Sequence, residues 1–524
     1  MNPLKIGNIK SLVGNTVEVF IRDDIENMYL PYKGKLYSIG QLGSYVIIPV
    51  AYEKIVGIVT QIQMQEIQLK DDTIIPSNRK IMTIQIVGRI KDNKFERGIT
   101  SYPLVGEDVC LADENDIEII FSQKETITSS IKIGYFSQNE NIDVWVDINK
   151  LLSRHLAIVG STGSGKSTTV TTLINCLIEK YDHPHILLFD IHGEYAQTEA
   201  LRNNDAVNII NGHDVNIPYW LLTYQEWLSL LLAHDSKQQS KEIREGLMYA
   251  KKKTVNEIRE FKKYEKILKL NTPVPFSLDN FREKIQEKYL KPRMDNLCDD
   301  KRYYFLLRPD NINLKLDAFI ERLIQPNKKV NIIDLSMVPS DILPIIISLL
   351  SRSVFDFNYW NLERDFPICL MFEESHLYLG NTGSPMAKWT IERIAKEGRK
   401  YAVSIAIISQ RPSEVSQTIL SQCNNFISHR LTTDIDQKYV QSLLSDTIQG
   451  LTNLLPTLIT GEAIIVGDAV SIPVRAKIKM AFNLVSSDCD YDTLWKTGPD
   501  KNFNIPFIIE NIITQEYRKR QKEP

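Results

Sequence analysis

Apolar residues in the first quarter of the chain fall into short runs with period-two alternation, at positions 16–21, 44–50, 55–63 and 80–90. Gly, Pro and Asp or Asn separate these runs, and almost no helical periodicity interrupts them, so residues 1–135 are expected to form a small β-barrel. From about Val144 the pattern changes. Continuous apolar runs at 155–159, 186–190, 368–373 and 403–409 alternate with helical segments, which indicates a mainly parallel sheet covered on both faces. About a hundred residues of charge-laced amphipathic helix, including 241–269 and 278–289, break that rhythm. A span that long is too large for a loop and reads as an inserted subdomain. The expected fold class is α/β, divided into an N-terminal barrel (1–135), a core (140–219 and 330–485), a helical insertion (220–329) and a C-terminal extension (486–524). The extension carries a short apolar run at 505–513 and a charged tail around Arg518-Lys519-Arg520.

The 524 residues, 43% apolar and 24% charged, have the composition of an ordinary globular protein with more than one core. The segment Met1-Asn2-Pro3-Leu4-Lys5-Ile6-Gly7 lacks the apolar stretch of a secretory signal. The greasiest stretch, 342–350, is about half a bilayer span and is followed by Arg352, so it reads as a buried helix. A cytoplasmic protein with no membrane association is expected. The six cysteines form no C-x-x-C pair, and no histidine lies at zinc-ligand spacing, as expected of reduced thiols. A net charge of −3 excludes a globally basic DNA-coating protein but leaves open a local basic surface.

The strongest chemical signal is Gly160-Ser161-Thr162-Gly163-Ser164-Gly165-Lys166-Ser167, followed by Thr168. It fits the phosphate-loop pattern G-x-x-x-x-G-K-[ST] and sits between an apolar strand and a helix, the context the chemistry requires. Backbone N–H groups of Gly160, Thr162, Gly163, Ser164 and Gly165 are expected to cradle the phosphates of ATP, with Lys166 on the β- and γ-phosphates and Ser167 on Mg²⁺.

A second apolar strand ends in Glu373-Glu374. Glu373 is expected on the Mg²⁺ side and Glu374 is the expected base that orients and deprotonates the attacking water. Gln410, ending the strand 403–409, is positioned to sense the γ-phosphate. Asp190, ending the strand 186–190, reads either as a carboxylate behind the site or as a turn residue. Arg399 and Arg430 are both candidates for a cation supplied to a neighbouring subunit's nucleotide. The run Lys251-Lys252-Lys253 and the 518–520 tail are basic, and such runs read first as solvated faces.

Five motifs in order, 158–167, Asp190-Ile191-His192-Gly193-Glu194-Tyr195, Phe372-Glu373-Glu374-Ser375-His376, Glu397-Gly398-Arg399-Lys400-Tyr401 and Ser409-Gln410-Arg411-Pro412-Ser413, resemble the HerA family of the HerA–FtsK superfamily. The resemblance implies an N-terminal barrel, a RecA-like P-loop core with a helical insertion, and a homohexamer that drives double-stranded DNA through its channel with ATP. It also implies that Arg399 acts across the subunit boundary, leaving Arg430 as a second candidate in trans. One departure stands out: the family's usual Asp-Glu pair is Glu373-Glu374 here. The family's partners, a NurA-like nuclease or a sirtuin-like effector docked on the barrel, imply a role in DNA-end processing or anti-phage defence. An ATP-binding ring scaffold that activates such an effector is the alternative. A membrane-fixed FtsK-type pump is disfavoured by the lack of spans.

Overall fold

Along Thr16–Ile21, Val17, Val19 and Ile21 are buried while Thr16, Glu18 and Phe20 are partly exposed, the alternation that a half-buried strand requires. The same rule shapes the N-terminal strands of this computed structural model, which describes all residues except 1–2, 26, 69–73, 122–126, 213–214, 233–236, 381–383, 445–448, 482–495, 498–504 and 515–524. The strands are β1 Lys5–Val13, β2 Thr16–Ile21, β3 Tyr29–Tyr32, β4 Lys35–Ser38, β5 Tyr45–Val50, β6 Glu53–Gln68, β7 Ile74–Lys91, β8 Lys94–Arg97 and β9 Asp108–Leu111. Their order is β2-β1-β9-β5-β6-β7, and β7 returns to pair with β2, Thr16 lying opposite Gln85, so six strands close into a barrel without free edges. Ile6, Val19, Val46, Ile48, Val59 and Met82 fill it.

Eleven further strands follow: β10 Ser130–Phe136, β11 Asn139–Asp147, β12 Leu156–Val159, β13 His185–Asp190, β14 Val207–Asn211, β15 Val330–Asp334, β16 Ile368–Phe372, β17 Val403–Ser409, β18 Asn425–Ser428, β19 Glu462–Val466 and β20 Val474–Ile478. The chain divides into two compact units. The first holds Met1–Pro184, Glu374–Asn381 and Ile394–Phe482; the second holds His185–Glu373, Thr382–Arg393 and Asn483–Pro524.

In the first unit the strand order is β11-β10-β20-β19-β18-β12-β17. Strands β18, β12 and β17 run parallel, and every residue of β12 and β17 is buried, which is why these segments read as unbroken apolar runs. Val159 pairs with both Ser409 and Ser428, so the three strands end level and the residues that follow them, Gly160, Gln410 and His429, emerge together. Carboxyl ends of parallel strands are where open α/β sheets place their ligands.

In the second unit β16, β13, β15 and β14 run parallel in that order. The Phe189 and Phe372 rings stack with centroids 5.0 Å apart. The helix Leu343–Trp360 buries Leu343 through Ser351 without a break, as its composition requires. No helix among the described residues is long and apolar enough to cross a membrane.

Between β14 and β15 the described residues form helices only, packed around Trp227, Phe276 and Phe281. Two details differ from the sequence pattern. The helix expected over 241–269 ends at Glu257; Ile258 is extended, and Arg259–Ile267 continues as a 3-10 helix. Lys251, expected on a solvated face, is 1% exposed and donates from Nζ to the carbonyls of Leu270 (2.7 Å) and Thr272 (2.8 Å). Adjacent helical residues point about 100° apart, so the run spreads around the helix, Lys251 turning inward while Lys252 stays exposed. The C-terminal run 505–513 falls in the helix Ile505–Thr514, whereas the basic tail at 518–520 lies outside the described residues.

Candidate nucleotide-binding and hydrolysis site

The loop between β12 and the helix Lys166–Lys180 is shaped by its glycines. Gly165 caps the helix with φ near +112°, and a Cβ there would meet the Cα of Gly461 at 3.0 Å. Only a residue without a side chain fits both the angle and the space. The Gly461 N–H in turn donates to Ser164 O at 3.0 Å, bracing the loop from behind. Lys166 is 6% exposed and donates from Nζ to Ser161 O at 3.1 Å, so its charge is held over the loop. The Ser167 hydroxyl, one residue into the helix, has no hydrogen-bond partner among the described residues. Thr168 accepts through its carbonyl from the hydroxyls of Thr171 and Thr172, which tightens the same first turns.

Sequence reasoning missed His429, which forms the bed of this loop. It is fully buried, its Nδ1–H donates to Glu462 O at 2.8 Å and its Nε2 accepts from the Thr169 hydroxyl at 2.8 Å. Burial pushes its pKa down to about 4, and the Lys166 charge lowers it further against the hydrogen bond to Glu462. The ring is therefore neutral and packs where a Cβ on Gly160 would strike it, 2.6 Å from its own Cβ. Its one sequence signal was its position directly after an apolar strand.

The predicted loop, carboxylate and amide meet in the first unit. The Thr162 hydroxyl donates to Gln410 Oε1, and Gln410 Nε2 donates to Glu374 Oε1. Glu374 is 5% exposed. Its other oxygen lies 3.2 Å from His376 Nδ1, a ring whose pKa is lowered by burial despite the carboxylate beside it. Glu374 also adopts left-handed backbone angles, φ 42° and ψ 42°, unusual for a glutamate and a conformation that clusters at functional turns. That turn sends Glu374 a different way from its neighbour.

Glu373 belongs to the second unit, where its Oε2 accepts from the Ile191 N–H at 3.0 Å and its carboxyl group bonds to Asp190. Asp190 also accepts from the amides of Gly193 (2.9 Å) and Ala196 (2.8 Å). Complete burial raises the Asp190 pKa to about 6, with the hydrogen bond to Glu373 and the two amides opposing the rise. Asp190 thus shapes the turn after β13 and hydrogen-bonds to Glu373.

The two arginines separate clearly. Arg430 follows β18, and its carbonyl accepts from the Ser161 N–H at 2.8 Å, so it stands beside its own phosphate loop. Its Nε is buried and has no hydrogen-bond partner among the described residues. Arg399 lies in the turn Gly398–Tyr401 that precedes β17, at the opposite end of that strand from Gln410, and it is exposed. His155 holds this turn in place: its Nε2–H donates to Ala395 O at 3.0 Å and its Nδ1 accepts from the Ile405 N–H at 3.1 Å. Burial lowers the His155 pKa to about 4, and the nearby Arg399 charge adds to the effect.

The groups present suit ATP with Mg²⁺. A buried lysine and a helix N-terminus answer phosphate charge, while a free serine hydroxyl and carboxylates are the hard oxygen ligands that Mg²⁺ takes. Among the described residues no cluster of three or more His, Cys, Asp or Glu could hold a metal alone.

Residues 131–354 match the family described as the central domain of helicase HerA. The chain is 30% identical over 493 residues to the DNA double-strand break repair helicase HerA of Sulfolobus acidocaldarius, covering 88% of this chain and 93% of that protein. It is 26% identical over 447 residues to the protein of the same description from Pyrococcus furiosus, covering 76% and 77%. Among solved structures, VirB4 of Thermoanaerobacter pseudethanolicus shares the fold at 18% identity with a TM-score of 0.50, covering 67% of this chain and 97% of that one.

Proposed function

Because the chain belongs to the HerA family of helicases, we propose that it is one protomer of a homohexameric ring that uses ATP to drive double-stranded DNA through a central channel. It is a P-loop ATPase with a RecA-like core. The observation that carries the proposal is the chain of side chains Thr162, Gln410 and Glu374, which ties the phosphate loop to a buried carboxylate through one amide.

In this reading Lys166 and the loop amides bind the triphosphate, and the Ser167 hydroxyl would ligate Mg²⁺. The metal supplies charge neutralisation on the β- and γ-phosphate oxygens. Glu374 orients the attacking water and takes its proton, a contribution of roughly 10² to 10⁴ in rate. His376, its pKa lowered by burial, stands beside Glu374 as a neutral ring. Gln410 senses the γ-phosphate and passes its loss to Glu374 and Thr162. Arg399 is too far along β17 to serve its own nucleotide; seven residues span about 20 Å. It serves the neighbouring protomer's γ-phosphate, whereas Arg430 flanks its own loop.

The barrel offers the docking face for a nuclease or another effector subunit, in DNA-end processing or anti-phage defence. Mass photometry should find a hexamer, and ATP turnover should rise when duplex DNA is added. A monomer whose turnover ignores DNA would overturn the proposal. Lys166→Ala should abolish turnover in either assembly state.

A further inference from the structure

The helical insertion carries a feature that the ATPase site does not use. Arg259–Ile267 forms nine residues of 3-10 helix with no buried side chain, whereas such runs rarely exceed three or four residues. Over residues 252–269 seven cations face three acids, in a chain whose net charge is −3. Lys252, Arg259, Lys262, Lys263, Lys266 and Lys269 are all exposed, and none forms an ion pair among the described residues. Arg282 in the same insertion, by contrast, pairs with Asp295 and Asp299.

The arm is also held in shape. Buried Lys251 grips the carbonyls of Leu270 and Thr272 just beyond it. The Thr272 hydroxyl donates to Ile267 O at 3.2 Å and accepts from the Lys269 N–H at 2.8 Å, closing the turn. Phe261 and Tyr264 pack ring to ring at 6.4 Å along one side, with Lys263 Nζ 4.9 Å from the Tyr264 centroid. The result is an exposed positive ridge whose six cations form no ion pair among the described residues. An extended row of exposed cations fits a ligand with regularly spaced negative charge, as a nucleic-acid backbone presents.

We propose that the 252–269 arm is a contact surface for the phosphate backbone of duplex DNA, separate from the ATPase core. The inference rests on the reading of the ring as a DNA motor and adds a second point at which DNA is held. Phosphate contacts of this kind position the duplex without reading its sequence.

Fluorescence anisotropy with a 30-base-pair duplex between 50 and 300 mM salt tests it. Lys262→Ala/Lys263→Ala/Lys266→Ala should weaken binding by roughly tenfold or more at low salt and lower the slope of log K against log salt by about 2 to 3. Replacing the same three lysines with Arg should restore both, and DNA-free ATP turnover should match wild type in each variant. An alanine variant with the wild-type salt slope overturns the inference and leaves the motor reading intact. A wild-type protein that binds no duplex overturns both, and charge-dependent binding to 30% phosphatidylserine vesicles with an unchanged DNA slope assigns the arm to a membrane and overturns the inference.

Discussion

Gln410 donates its side-chain amide to Glu374 while accepting from Thr162, so one residue touches both the phosphate loop and the carboxylate that faces it. Any movement of the loop on binding or losing a γ-phosphate must therefore break, stretch or re-form a bond to Glu374.

Removing that link should uncouple the two without emptying the site. Gln410→Ala is expected to lower ATP turnover by roughly tenfold to a hundredfold, with nucleotide affinity within about threefold of wild type, because the loop keeps its Gly461 brace. Glu374→Gln should lower turnover by roughly 10² or more and still bind ATP. Steady-state kinetics alongside a fluorescent nucleotide titration measure both, and a Glu374→Gln protein with wild-type turnover rejects its role as the base.

Gly165 cannot carry a side chain. Gly165→Ala meets both a φ of +112° and the Gly461 backbone at 3.0 Å, so it should cost about 1–3 kcal/mol in stability and abolish tight ATP binding. Gly163, with φ +68° and nothing within 4 Å of an added Cβ, faces only the backbone term. Gly163→Ala should accordingly be the milder of the two in a thermal melt.

Arg399 can be tested by mixing. An Arg399→Ala ring and a Glu374→Gln ring should each be nearly inactive, whereas co-assembled subunits should recover measurable turnover, since some interfaces then pair an intact arginine with an intact base. No recovery at any mixing ratio removes the trans role. His155→Gln should shift the turn that presents Arg399 and reduce turnover less than Arg399→Ala does.

Stability should fall as the pH drops from about 6.5 towards 4. His155 and His429 both have folded pKa values near 4, below the ordinary histidine value, so the unfolded chain binds protons there that the folded chain refuses. Each contributes a slope of up to about 1.4 kcal/mol per pH unit within that window. Asp190 acts in the opposite sense: its folded pKa near 6 lies above the ordinary carboxylate value, so it favours the folded state towards acid and offsets part of the loss. Denaturant melts at pH 7, 6 and 5 should show the decline, and His155→Gln should flatten it by about one proton.

The phosphate loop was legible because its chemistry needs contiguous glycines, and the strand ends at Glu374 and Gln410 because continuous apolar runs announce buried parallel strands. What the sequence concealed depends on pairing at a distance. His429 reaches the loop only because β18 lies beside β12 in register, a relation between segments about 270 residues apart. The split between Glu373, turned to Asp190, and Glu374, turned to Gln410, follows from one left-handed residue that composition does not signal for a glutamate. Barrel closure through β2 and β7 is likewise invisible to local alternation, which gives the strands but not their order. The inward turn of Lys251 required knowing which side of its helix faces the Phe276 cluster.

The backbone of Glu374 stores energy that most sequences would release. A glycine there would relax the left-handed turn, so Glu374→Gly should melt at a higher temperature than the wild type by an amount corresponding to about 1 kcal/mol, while hydrolysing no ATP. The same turn that aims the carboxylate at Gln410 is thus a local weak point of the fold, where durability and turnover pull against each other.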